Sequence, residues 1–61
     1  MTAREREVLA LLRRRHTDAE IAAELFISRR TASNHVSNIL AKLGTANRRE
    51  AGVMAVRMRL A

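Results

Sequence analysis

In the run FISRRTASNHVSNILAKLG, from Phe26 to Gly44, the apolar residues Ala32, Val36, Ile39, Leu40 and Leu43 fall on one side of a helix that turns about 100° per residue. Arg30, Asn34, Ser37, Asn38 and Ala41 fall opposite, with Ser33 on one margin and Thr31, His35 and Lys42 on the other. Earlier in the chain Val8, Leu9 and Leu12, then Ile21, Ala22 and Leu25, recur at the same helical spacing. Helix starts are marked as clearly as the stripes. Thr2 with Glu5 and Thr17 with Glu20 have capping-box spacing, Asn47 with Glu50 is a looser relative, and Ser28 is an N-cap without the acid. Gly44 suits the left-handed residue that ends a helix. The pattern predicts helices over about 3–14, 18–25, 29–43 and 48–60. No strand alternation or internal repeat competes with this reading, and the absence of proline leaves every helix uninterrupted. The expected fold is all-α, a small four-helix bundle.

Only Phe26, Ile27 and Ser28 separate the second helix from the third. A short helix joined to a longer one by about three residues is a helix-turn-helix, in which the steep crossing leaves the second member standing proud on one flank. The fourth helix is different in kind, because it has two apolar sides. Ala51, Met54, Ala55 and Met58 gather on one, Val53, Val56 and Leu60 on the other. Packing within one small domain uses a single stripe. The expectation is that Ala51, Ala55 and Met58 face the core, while Val53, Val56 and Leu60 pair with a second copy across a two-fold axis.

Composition narrows the core and the partner. A chain of 61 residues is at most one small domain, burying about 60% of the surface its unfolded form exposes. With Phe26 as its one aromatic residue and no cysteine, the core must be aliphatic, without help from disulfides or cysteine-bound zinc. No apolar run approaches the roughly 20 residues of a membrane span, and the N-terminus lacks the apolar stretch of a signal peptide. A soluble cytoplasmic chain without membrane association is expected. Residues 1–27 carry five arginines against five acidic residues, whereas residues 28–61 carry six arginines and Lys42 against Glu50 alone. The entire net charge of +6 therefore sits in the second half. Such asymmetry is the electrostatic footprint of a nucleic-acid or other anionic partner.

The polar face of the third helix says which anionic partner fits. The major groove of DNA admits one α-helix, amides pair bidentately with adenine, and small hydroxyls let the backbone approach base edges. Arg30, Ser33, Asn34, Ser37 and Asn38 are the candidate base-reading residues. His16 and His35 have no cysteine or suitably spaced carboxylate to complete a metal site. Neither a phosphate-cradling glycine loop nor a nucleophile with a base in reach is present, so no cofactor and no enzyme activity are expected.

Taken together, TAREREVLALL, EIAAELFIS, Thr31, His35, the pair Ile39-Leu40, KLG at 42–44 and NRREA at 47–51 resemble the LuxR-type (GerE-type) helix-turn-helix domain of bacterial transcription regulators. The resemblance covers essentially the whole chain. It implies a four-helix bundle whose third helix enters the major groove of double-stranded DNA and whose fourth mediates homodimerisation on a pseudo-palindromic site. It also implies the C-terminal part of a longer regulator, of the response-regulator kind, with RNA polymerase as a further partner. Base contacts are implied for Ser33, Asn34 and Ser37, and DNA-backbone contacts for Ser28, Thr31, His35 and Lys42. Thr17, Arg29 and Arg48 complete the candidate backbone set. The chain departs from the family pattern at Ala32 and Ser33, where many members have Val and then Lys, with Arg29 and Arg30 supplying charge instead. Arg15 stands where glycine is usual between the first two helices, and Met1 where leucine is usual. Region 4 of a sigma factor shares part of this pattern but usually lacks the His35 and KLG features. A helical protein-interaction module is a second alternative, against which the amide-rich face argues, since interface cores favour aromatic and methionine anchors.

Overall fold

The computed structural model describes residues 2–59, and Met1, Leu60 and Ala61 lie outside them. Four helices follow one another: α1 (Ala3–Arg13), α2 (Asp18–Leu25), α3 (Arg29–Leu43) and α4 (Arg48–Met58), with no strand among the described residues. The predicted bounds hold to within a residue or two. α1 stops one residue earlier than expected, and α4 stops at Met58, with Arg59 as its left-handed cap.

Each start is made by the predicted residue. Thr2 and Thr17 form complete capping boxes with Glu5 and Glu20, Ser28 accepts the Thr31 amide, and Asn47 accepts the Glu50 amide. The ends of the first three helices share one device, in which a left-handed residue lets two backbone amides turn back onto the last carbonyls. His16 and Arg15 donate to Leu11 and Leu12, Ile27 and Phe26 to Ala22, and Thr45 and Gly44 to Leu40 and Ala41. Glycine fills the left-handed position only at Gly44, and Arg15 (φ 62°) and Phe26 (φ 56°) fill the other two. A side chain in that region costs about 1–2 kcal/mol. Two of the three helix ends therefore carry local strain.

The core is aliphatic, as composition requires. Val8, Leu9, Leu11 and Leu12 of α1, Ile21 and Ala22 of α2, Ala32, Val36 and Ile39 of α3, and Ala51 and Ala55 of α4 are buried together, and Leu25, Ile27, Leu40 and Leu43 pack around them. α1 supports both α3 and α4, while α2 packs on α3. One expectation fails at α4. Met58 does not face the core but is 61% exposed. The reason is Gly52, which is buried against the α1 backbone, where an added Cβ would lie 3.3 Å from both Arg13 Cα and Leu12 O. That close approach turns the buried face of α4 toward Ala51, Gly52 and Ala55, and Met58 is carried past the end of the contact.

Candidate nucleic-acid interface

α3 is held at its start by Ser28, whose Oγ accepts the Thr31 amide at 3.1 Å and lies 2.9 Å from Thr31 Oγ1. The first turns of α1, α2 and α4 each contain an acidic residue, which favours the positive end of the helix dipole. α3 has none, and instead places Arg29 and Arg30 there. Positive side chains at a positive helix end are unfavourable unless an anion joins them.

Farther along, Ala32, Val36 and Ile39 are buried, whereas Arg30, Ser33, Asn34, Ser37 and Asn38 are all exposed. The five base-reading candidates thus share one open face of one rigid helix. Among the backbone candidates, Ser28, Arg29 and Thr31 are exposed at the start of that helix and Lys42 at its end, with His35 half-buried between them. Thr17 is exposed at the start of α2, where its Oγ1 accepts the Glu20 amide at 3.2 Å and its own amide donates to Glu20 Oε1 at 2.8 Å. The Thr17 amide first, and the Thr17 hydroxyl next, hold the Glu20 carboxyl below its ordinary range.

Two candidate phosphate ligands already have partners inside the molecule. Lys42 Nζ lies 2.7 Å from Glu5 Oε1, with the Glu5 side chain 7% exposed and that of Lys42 50% exposed. Glu5 is thereby lowered from 4.5 to about 2, by the Lys42 hydrogen bond first, the Thr2 amide next, and to a lesser degree by the Thr2 side chain and the Lys42 charge, against the opposing effect of desolvation. Because the folded value lies below the ordinary one, the stability contributed by ionised Glu5 is complete above about pH 4.5 and is lost as pH falls toward 2. Arg48 is similarly engaged. Its Nη1 makes a charge contact with Asp18 Oδ1 at 2.9 Å, and its Nη2 donates to the His16 carbonyl at 3.0 Å. Arg48 thus ties the start of α4 to the loop before α2. Sequence reading marks Lys42 and Arg48 but not their partners Glu5 and Asp18, because these contacts join distant parts of the chain.

On α4, Val53 and Val56 are 54% and 53% exposed. They form one wall of a groove of about 390 Å³ that Leu12, His16 and Arg48 also line. Leu60, the third candidate for pairing, lies outside the described residues.

Residues 1–55 match the family described as "Bacterial regulatory proteins, luxR family". The chain is 52% identical over 58 residues to the spore germination protein GerE of Bacillus subtilis (strain 168), covering 95% of this chain and 78% of that protein. It is 43% identical over 60 residues to the transcriptional regulatory protein LiaR of the same organism, covering 98% of this chain and 28% of LiaR. With the DNA-binding transcriptional activator DevR/DosR of Mycobacterium tuberculosis (strain ATCC 25618 / H37Rv) the identity is 39% over 59 residues, covering 97% of this chain and 27% of that protein. The chain thus spans most of GerE but only about a quarter of the longer regulators. A solved structure of the transcription factor GerE has a TM-score of 0.87 and 38% identity, covering 98% of this chain and 90% of that one. LiaR, DevR/DosR and the solved GerE are named as regulators, an activator or a factor of transcription. The fold, the helix-turn-helix and the family match agree that this chain belongs to the luxR family of bacterial regulatory proteins.

Proposed function

We propose that this chain binds double-stranded DNA by sequence, as a homodimer on a pseudo-palindromic site, and so regulates transcription in the cytoplasm. The observation that carries the reading is the open face of α3, where Arg30, Ser33, Asn34, Ser37 and Asn38 are exposed opposite a buried aliphatic stripe. Asn34 has the chemistry to pair with the adenine edge in the major groove, and Ser33, Ser37 and Asn38 allow close approach to neighbouring bases. Phosphates are held by Ser28, Arg29 and Thr31 at the start of α3, by Thr17 at the start of α2, and by His35, Lys42 and Arg48 along the margins. These contacts give a salt-dependent affinity, and the base contacts give its specificity. Val53 and Val56, with Leu60 beyond them, meet their mates across the two-fold axis. Two α3 helices then face matching half-sites. In a longer regulator this unit is the C-terminal output part, of the response-regulator kind, and RNA polymerase is its further partner on the promoter.

The test is selection of the purified chain on a randomised duplex pool at physiological salt, with sequencing of the retained DNA. An enriched inverted repeat is expected, its spacing giving the dimer geometry. Retention without enrichment would reduce the function to phosphate binding by the basic half, and no retention would remove DNA from the reading.

A further inference from the structure

Eleven of the twelve cationic side chains in this chain are arginines, and the single lysine is Lys42. Among the described residues, the one position that departs from arginine is also the one whose cation meets a buried carboxylate, Glu5, at 2.7 Å. A guanidinium is a broad planar fork, whereas an ammonium is compact and has three N–H donors that point in different directions. Compactness suits the tight contact with Glu5, and the spare donors suit a second acceptor.

Glu5 is fixed from the far side. Its Oε1 also accepts the Thr2 amide at 2.9 Å, and its own amide donates to Thr2 Oγ1 at 3.1 Å. The acceptor is therefore anchored by the capping box of α1 before Lys42 arrives, and the Lys42 head group loses freedom when it docks there. One N–H of the ammonium goes to Glu5. The other two remain, on a side chain that is half exposed. Lys42 stands one helical turn beyond Asn38, so its head group lies at the edge of the open face of α3. It also sits in the last turn, where a cation offsets the negative end of the helix dipole that would otherwise repel a phosphate.

We propose that Glu5 is a positioning residue for DNA binding: it holds the Lys42 ammonium at the margin of α3 so that one cation serves a buried carboxylate and a backbone phosphate together. This rests on the DNA-binding reading above. A lysine free in solvent loses rotamer freedom when it takes a phosphate, and Glu5 removes most of that loss in advance.

The experiment measures the affinity of the full chain for a fluorescein-labelled duplex over a series of sodium chloride concentrations, for wild type, Lys42→Met, Glu5→Gln and the double variant. Gln keeps a side-chain oxygen for the Thr2 amide while removing the ion pair, and melting curves verify that each variant is folded. Lys42→Met is expected to make the dependence of log affinity on log salt shallower by about one. Glu5→Gln should weaken binding several-fold with the wild-type slope, and its effect should shrink to little in the Lys42→Met background. An unchanged slope in Lys42→Met would make Lys42 an internal strut alone and overturn the proposal. Equal effects of Glu5→Gln in both backgrounds would overturn it too, since Glu5 would then act through the fold in general. Should Lys42→Met not fold, Lys42→Arg decides: it is expected to bind more weakly with an unchanged slope, and wild-type affinity would refute the need for an oriented ammonium. Absence of salt-dependent binding by wild type itself would instead bring down the DNA reading and this inference with it.

Discussion

α3 and α4 both lean on α1, and each leaves a second face uncovered, but they do so by opposite means. α3 is anchored by side-chain volume, with Ile39 fully buried and Ala32 and Val36 beside it. α4 is anchored by the lack of volume, since Ala51, Gly52 and Ala55 let its backbone approach that of α1. Their open faces are opposite as well. α3 exposes amides, hydroxyls and arginines, and α4 exposes Val53 and Val56. A polar face of small residues matches a hydrated, charged groove, while an apolar stripe matches another protein surface. Two helices on one support thus point to two kinds of partner.

If the anchors differ in this way, α3 should fail when volume is removed and α4 when volume is added. Ile39→Ala deletes a fully buried side chain at the centre of the core and is expected to cost about 2–5 kcal/mol, read as a lower midpoint in thermal or urea unfolding. In a domain this small that is a large part of the total stability. Gly52→Leu is the complementary change. Its Cβ would press on backbone atoms of Leu12 and Arg13 at 3.3 Å, which cannot swing aside as a side-chain end can, and a cost of about 1–3 kcal/mol is expected. Leucine is the better helix former by nearly 1 kcal/mol, so an unaltered melting midpoint would show that the interhelical strain is no larger than that gain.

The same contrast explains what the sequence made legible. α3 is legible from periodicity alone because its buried residues are apolar and its exposed ones, Ala41 apart, polar, so the two faces separate in the letters. α4 is legible only in part: Ala51 and Ala55 are buried and Val53 and Val56 exposed, as the two stripes predict, but the closest approach to α1 is made by a glycine, which has no hydropathy to count. Met58 is expected in the core but, as the last residue of α4, lies past the contact that Gly52 makes with Arg13 and Leu12. Helix starts were legible because a cap is local chemistry spanning three residues. Helix ends were less so, since Arg15 and Phe26 occupy left-handed positions that favour glycine, and only Gly44 advertised its place. Within the site, the open face of α3 was legible. The pairs Lys42 with Glu5 and Arg48 with Asp18 were not, because they depend on how α1, α2, α3 and α4 come together. Phe26 takes its left-handed conformation to end α2, and its ring is left 95% exposed.

The uncovered faces can be separated by changes that leave both anchors intact. Asn34 is exposed and makes no core contact, so Asn34→Ala should leave folding stability nearly unchanged. On DNA it is expected to relax preference at one base pair per half-site, at a cost of roughly 1–3 kcal/mol against the preferred base. Competition binding across single-base variants of the selected site measures this. Undiminished discrimination at every position would remove Asn34 from the reading set and place the specificity on Arg30, Ser33, Ser37 or Asn38.

Val56→Glu should disturb the fold as little as Asn34→Ala does, and it is the sharpest test of the α4 face. Val56 is 53% exposed in the single chain, so a glutamate there remains in water and should change unfolding free energy by no more than about 0.5 kcal/mol. Across a two-fold axis the same residue recurs on both partners, and one substitution places two like charges in an apolar contact. Desolvating even one unpaired carboxylate costs several kcal/mol, more than a small interface of valines returns. Sedimentation should therefore show wild-type dimers at high concentration and only monomers for Val56→Glu, with superimposable melting curves for dilute samples. A dimer that survives the substitution would move the pairing surface off Val53 and Val56. The exposed stripe of α4 would then be a surface for some other protein, and the two half-sites would have to be brought together by contacts elsewhere on the chain.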